Sequence, residues 1–483
     1  MALESIERYR RLVLFVTTLG AFMTPLDASI VSVALPSISN TFHMGYAGVI
    51  WIPVAYLLCL ATLLLTFGKL SDVKGRKLFF TLGFAVFTVA SALCGISQSG
   101  AELIVFRGLQ GISAAMIGAT STAIVTDVFP AERRGKALGI NVLAVYTGLA
   151  VGPTLGGFLV QALGWRSIFY INVPIGVAVS FIAITRLRES AKHRMPNGRF
   201  DILGATTFTI GLALVLLGLT LTGSSSWIDP LVFGSLVGGS FLILLFLAVE
   251  LRRGEQALLD LDLFRKSRLF AAANFSALLN YTAYFAVPYF LSFYLQTIRG
   301  MSPLVTGLIL VAMPIPMAAL SPISGWLSDR IGSCILASTG MGLMCLALIF
   351  LSQLALSTPI VYLAAVLFLL GVGVGLFSAP NTSSVMGSVD RSHLGIASGT
   401  ISTMRFVGQS LSLAVMGAVA ASIIPPQVFS SIFGGFGSTG SVSADLFLKG
   451  ASLAFLAGAV IAFVGVITST VRGNKEKRKG ANN

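Results

Sequence analysis

Long apolar runs separated by short polar segments dominate the chain. Crossing about 30 Å of hydrocarbon takes about 20 residues in a helix. Runs of that length fall at roughly 12–35, 47–67, 78–97, 102–126, 137–161, 168–187, 202–222, 230–250, 269–295, 304–326, 333–353, 358–386, 395–422 and 449–471. A helix satisfies its own backbone hydrogen bonds in lipid, so each run predicts a spanning helix. The pattern therefore predicts an all-α polytopic membrane protein with 14 spans. The first run follows Arg8, Arg10 and Arg11, as a secretory leader would. It is too long and contains Pro25 and Asp27, so it is read as a retained span.

Composition supports the class. Of 483 residues, 55% are hydrophobic and only 10% are charged, against about 25% charged in soluble domains. The charges also test the span count. With a cytoplasmic N-terminus, 27 of the 32 Lys and Arg residues fall in cytoplasmic loops and tails, and three (Arg166, Arg299, Lys449) fall outside. Such a split follows the positive-inside rule, and one span more or fewer would scramble it. Both termini are then cytoplasmic, in a plasma (inner) membrane. The net charge of +14 faces anionic lipid and calls for no nucleic acid; the basic Lys475–Lys479 tail reads the same way.

A short polar stretch recurs. Gly68-Lys69-Leu70-Ser71-Asp72-Val73-Lys74-Gly75 and Gly325-Trp326-Leu327-Ser328-Asp329-Arg330-Ile331-Gly332 share Gly-x-Leu-Ser-Asp-x-x-Gly, 257 residues apart (325 minus 68). The glycines predict a tight turn between helices. One copy after span 2 and one after span 10 suggest two related six-span halves, with spans 7 and 8 inserted between them. The basic loops 188–200 and 252–268 mark the boundaries. They divide the chain into 1–195, an inserted region 196–265, and 266–483. The Gly/Ser-rich stretch 423–448 predicts an external loop.

Charged and polar residues inside spans carry the candidate chemistry. Asp27 in span 1 is predicted about six residues, roughly 9 Å, from the outer end. A carboxylate there costs about 2.5–3.5 kcal/mol on insertion scales. It can exchange a proton, meet a cationic substrate or sit in a static ion pair. Arg107 in span 4 lies at similar depth and keeps its charge, so it would tune Asp27, with Glu102 as a weaker alternative partner. Asp127, at the other end of span 4, is placed to dock on the 69–77 loop and hold an inner gate shut. Gly148, Gly152 and Gly156 recur every four residues in span 5 and predict close helix packing, with a kink at Pro153. Arg405, near mid-membrane, and Gln409 share a face of span 13. With Gln110, Asn274, Asn280, Tyr281, Tyr284 and Asn381 they are candidate cavity liners, interhelical hydrogen bonding being the other reading.

Other chemistries find no support. Cys59, Cys94, Cys334 and Cys345 lie in apolar runs and read as buried small hydrophobes. His43, His193 and His393 fall in loops without metal-ligand spacing, so no metal site is expected. No phosphate loop, His-Glu-x-x-His or Gly-x-Ser-x-Gly occurs, and no segment is long enough for a nucleotide domain. The chain is not expected to be an enzyme. An ion gradient is its expected energy source, with no cofactor.

Taken together, these residues resemble the major facilitator superfamily. Gly68–Lys77 resembles its loop signature. Arg107, Gln110 and Gly111 resemble the span 4 signature, and Gly148, Gly152, Pro153, Gly156 and Gly157 the span 5 signature of antiporters. Leu26-Asp27-x-x-Ile30-Val31-x-Val33-Ala34-Leu35-Pro36 and the stretch Trp165–Gly176 resemble signatures of its fourteen-span drug:proton antiporters. The resemblance implies the major facilitator fold and proton-driven efflux of small amphipathic compounds by alternating access, from a monomer. It links Asp27 and Arg107 to proton coupling, and Asp72, Arg76 and Asp127 to an inner-face latch. Two departures stand out. The second hairpin has Ser333-Cys334 in place of Arg76-Lys77, and spans of the C-terminal half almost lack acids. Substrates are then expected among monovalent cations, neutral amphiphiles or anions near Arg405. Export of a single metabolite, uncoupled facilitation and a non-transporting scaffold or sensor are the competing readings.

Overall fold

The structure, a computed structural model, describes residues 2–189, 201–223, 225–253, 259–390, 393–425, 428, 432–433 and 441–471. The 195/196 boundary, most of the 188–200 loop, His193, Arg391, the basic tail and part of 423–448 lie outside them.

The described residues form helices joined by short turns. The first half comprises α1 (Ala2–Phe42), α2 (Tyr46–Lys74), α3 (Arg76–Ile96), α4 (Gly100–Val128), α5 (Ala131–Leu163), α6 (Ser167–Tyr170) and α7 (Asn172–Arg186). The inserted pair is α8 (Ile202–Leu221) and α9 (Pro230–Arg253), followed by the short α10 (Leu261–Lys266). The second half comprises α11 (Arg268–Tyr284), α12 (Val287–Phe293), a π-turn (Tyr294–Ile298), α13 (Pro303–Leu310), α14 (Pro314–Ile331), α15 (Ser333–Leu351), α16 (Ile360–Gly387), α17 (Leu394–Ala421) and α18 (Ser441–Thr470).

Thirteen stretches among the described residues are long and apolar enough to cross a membrane. The ninth expected span, 269–295, is not one of them. It breaks at Phe285–Ala286, just before Pro288 in the first turn of α12, and ends in the π-turn. Proline lacks the amide that would continue the α11 ladder. By contrast α1 absorbs Pro25 and Pro36 and runs on to Phe42. Asp27 therefore lies fifteen residues from the end of α1 (42 minus 27).

The predicted 68–77 loop shrinks to one residue. Gly68–Lys74 is helical, and only Gly75, at φ 115°, separates α2 from α3. Gly332, at φ 91°, turns α14 into α15 in the same way. Left-handed backbone there needs glycine. Gly68, with open space around it, serves no turn.

Within the first half α1 packs on α4 and α5, α2 on α4, and α3 on α4 and α7; in the second, α11 packs on α17 and α18, and α16 on α14 and α15. The halves meet through α5–α13, α2–α17 and α1–α12. Small residues let backbones touch at these seams. A Cβ at Gly157 would strike the Pro303 carbonyl, and one at Gly307 the Pro153 carbonyl. The inserted α8–α9 pair rests on α2 and α17. It leaves Leu231, Phe233, Phe241 and Leu244 exposed, the face a lipid-bathed helix presents.

Candidate functional site

Asp27 and Arg107, both with no exposed surface, form an ion pair at 2.5 Å between Arg107 Nη1 and Asp27 Oδ2. Their neighbours complete the site. Gln110, one turn along α4 from Arg107, accepts from Arg107 Nη1 at 2.6 Å and donates from Nε2 to Asp27 Oδ1 at 3.2 Å. Asn172, the first residue of α7, donates to the same Oδ1 at 2.9 Å. Ser91 of α3 accepts from Gln110 at 2.8 Å. Arg107 Nε donates to the Ile52 carbonyl at 3.3 Å, and the guanidinium lies 4.4 Å from the centre of the Tyr56 ring. Gly111 allows that approach, because a Cβ there would strike the Tyr56 carbonyl. Residues of α4 and α7 thus bond the α1 carboxylate, and α2 and α3 hold its partners Arg107 and Gln110. A buried pair repays its desolvation only with this many supporting bonds, and losing one partner leaves a bare charge. Arg107 Nη2 and Asn172 Oδ1 remain without hydrogen-bond partners.

Glu102 does not compete for Arg107. It accepts from the Gln98 amide at 2.9 Å while Ser99 caps the start of α4. The glycine stripe of α5 faces α1 beside Asp27. A Cβ at Gly148 would lie 2.5 Å from the Phe22 carbonyl, and one at Gly156 2.7 Å from an Ile30 side-chain carbon. At Gly152 it would overlap Ser29 Oγ.

At the end of the first half that carries Gly75, Arg76 joins two helix ends. It bonds Asp72 one turn earlier at 2.7 Å and Asp127 at the end of α4 at 2.7 Å. A Cβ on Gly75 would lie 2.8 Å from Glu189 Oε1, which also accepts from the Lys77 amide at 3.3 Å. A cleft of about 170 Å³ opens beside this cluster, lined among others by Tyr9, Lys77 and Arg188. Among the described residues the second hairpin has no such cluster: Asp329 and Arg330 are exposed, and Arg330 lies over the Trp326 ring at 4.0 Å.

The second-half candidates separate into two groups. Tyr281 lies beside Ser378 of α16 and Arg405 of α17, and its ring lies 5.8 Å from that of Tyr284. Tyr146 of α5 reaches across from the first half, donating to Ser378 at 3.0 Å and accepting from Ser321 of α14 at 3.2 Å. Arg405 is half-buried, as is Gln409, and its Nε has no hydrogen-bond partner. Asn280 turns away from this group and donates to the sulfurs of Met341 and Met344 at 3.1 and 3.7 Å, inside the half. Asn274 donates to the Phe270 carbonyl of its own helix at 2.9 Å. Asn381 is buried on α16, with its Oδ1 unpartnered.

Sequence reasoning missed Asn172, Ser91, Tyr56, Tyr146 and Ser378. Asn172 had a signal, as an amide inside an apolar stretch already singled out; the others looked like ordinary helix residues. It also missed the foot of the inserted pair. There Asp201 caps α8 beside Glu250 of α9, close to Lys69 of the first hairpin.

The chain matches the Major Facilitator Superfamily profile over residues 17–413 and 273–482. It is 33% identical to the riboflavin transporter RibZ of Clostridioides difficile (strain 630), over 87% of this chain and 90% of that protein. It is 34% identical to the multidrug resistance protein Stp of Mycobacterium tuberculosis (strain ATCC 25618 / H37Rv), over 86% of this chain and 76% of that protein. In fold it resembles a bacterial homologue of the human lysosomal transporter Spinster, in its inward-facing and unoccupied conformation. The TM-score is 0.69 at 16% identity, covering 96% of this chain and 97% of that one. The all-helical architecture, the spanning helices and these relatives agree: the chain is a non-enzymatic, multi-pass membrane transporter that belongs to the major facilitator superfamily.

Proposed function

We propose that the protein exports small amphipathic compounds in exchange for protons by alternating access. In this reading it works as a fourteen-crossing monomer in the plasma membrane, with both termini cytoplasmic and the broken α11–α12 segment supplying the ninth crossing. The proton gradient is the energy source, and no cofactor takes part. The observation that carries the reading is the fully buried Asp27–Arg107 pair with Gln110 and Asn172 around it. A proton reaching Asp27 neutralises the carboxylate and releases Arg107. The bonds holding α1, α4 and α7 together then rearrange, which ties protonation to the packing of three helices. Links between the halves crowd the end away from Gly75. Tyr289 donates to the Ala28 carbonyl at 3.1 Å, Gln296 to the Val33 carbonyl at 2.9 Å, and Tyr46 to the Leu413 carbonyl at 3.0 Å. These contacts favour a state closed on that side. The Arg76–Asp72–Asp127 cluster serves as the inner latch.

Inside-out vesicles containing the protein, energised to an acid interior, test this with a fluorescent amphipathic drug. Uptake should collapse when a protonophore is added. Uptake indifferent to the protonophore would make the protein an uncoupled facilitator and overturn the exchange. The similarity to a riboflavin transporter supports a second reading, export of one metabolite. A substrate panel that includes riboflavin separates the two.

A further inference from the structure

The second half holds a cation in its interior that has no acid among the described residues to answer it. Arg405 sits eleven residues into α17 (405 minus 394), about 17 Å from that helix end at 1.5 Å per residue. From residue 269 onward the acids are Asp329, Asp390, Asp445 and Glu476. The first three lie at or beside the described helix ends, and all are exposed. No carboxylate among the described residues lies within ion-pair distance of Arg405, whereas Arg107 has Asp27 at 2.5 Å. Arginine does not give up its proton, so the charge cannot be relieved by neutralisation. An intramembrane charge is expensive to keep and marks a functional site when nothing structural neutralises it.

The surroundings say what would neutralise it. Tyr281 lies beside the guanidinium, and Arg405 Nε has no hydrogen-bond partner. The Tyr281, Tyr284 and Phe406 rings supply apolar and π surface beside the charge. Tyr146 of the first half bonds Ser378, which lies beside Tyr281, so the group lies on the seam between the halves and not on a lipid face. A planar fork of donors beside aromatic rings suits a carboxylate on an aromatic body.

We propose that Arg405, with Tyr281 and Tyr284, forms an anion-accepting subsite between the halves, and that the compounds carried are aromatic or amphipathic monoacids. This deepens the transport reading above and rests on it, but it does not depend on proton exchange. The guanidinium pairs with the acid group, and the rings hold the apolar body.

The test uses full-length protein in lipid nanodiscs, with empty nanodiscs subtracted. The probes are 1-pyrenebutyrate, its methyl ester and tetraphenylphosphonium. The wild type should bind the acid about tenfold tighter than the ester, the scale of one charge-assisted contact. Arg405→Gln should remove that preference and leave ester binding unchanged, which also shows that the variant is folded. Arg405→Lys, a point charge without the fork, should keep part of it. Wild-type protein that does not favour the acid over the ester, or that favours the phosphonium, overturns the subsite whatever the variants do. An equal loss of acid and ester binding in Arg405→Gln, with the preference retained in Arg405→Lys and Tyr281→Phe, also overturns it. Acid selectivity without proton exchange would leave the subsite standing and remove the coupling. Proton exchange for the phosphonium without acid selectivity would do the reverse.

Discussion

Two arginines, Arg107 and Arg405, lie inside the apolar spans, and they are kept in opposite ways. Arg107 has no exposed surface and is matched by Asp27, Gln110, the Ile52 carbonyl and the Tyr56 ring. Arg405 is half-buried, lies beside a phenol, and lacks a carboxylate among the described residues. The first charge is cancelled inside the protein, so removing its partner must disturb the protein. The second is left for something that arrives. A matched pair suits a switch that a proton can open, and an unmatched cation suits a ligand contact. The two hairpins repeat the asymmetry: the first is tied by Arg76 to Asp72 and Asp127, and the second leaves Asp329 and Arg330 exposed.

The strongest way to break this comparison is to make Arg107 resemble Arg405. Asp27→Asn should lower stability by about 3–5 kcal/mol, the cost of stranding a buried charge, read from thermal unfolding in detergent. Asp27→Asn combined with Arg107→Gln should recover much of that loss. Equal stability of the single and double variants would show that the pair is not coupled. The next effect is steric. Gly152→Val, which forces a side chain into Ser29 beside Asp27, should cost about 1–3 kcal/mol, whereas Gly68→Ala, in open space, should not perturb packing. Arg405→Gln sharpens the contrast from the other side. It strips no carboxylate of its partner, so its stability cost should stay at or below about 1 kcal/mol. A loss as large as that of Asp27→Asn would make Arg405 a structural residue. The smallest effect belongs to the hairpins. Asp127→Asn should cost less stability than Asp27→Asn, because Arg76 keeps Asp72 as a partner, yet alter the transport rate. Arg330→Ala should change neither; transport assays on both variants decide whether only the first hairpin is a latch.

Much of this was readable beforehand for one physical reason: charges in an apolar run are rare and must find each other. Asp27 and Arg107 meet in an ion pair, and thirteen of the fourteen expected spans followed from length alone. Which way a neutral polar residue points was not readable. A helix in lipid is apolar on every face, so the period that orients a soluble helix is missing. Asn280 therefore looked equivalent to Tyr281, yet one packs on methionine sulfurs and the other faces the seam. Tyr146 and Ser378 were invisible because their contact joins helices from different halves, 232 residues apart. The break in the ninth span was written at Pro288, but α1 carries two prolines without breaking, so proline alone did not decide.

The central claim is that Asp27 carries the exchanged proton. It is tested most directly in liposomes holding the purified protein, an acid interior and an internal pH dye. Substrate added outside should trigger proton release in the wild type and none in Asp27→Asn, with substrate binding retained. Proton release that survives in Asp27→Asn would contradict the account and move the coupling site elsewhere.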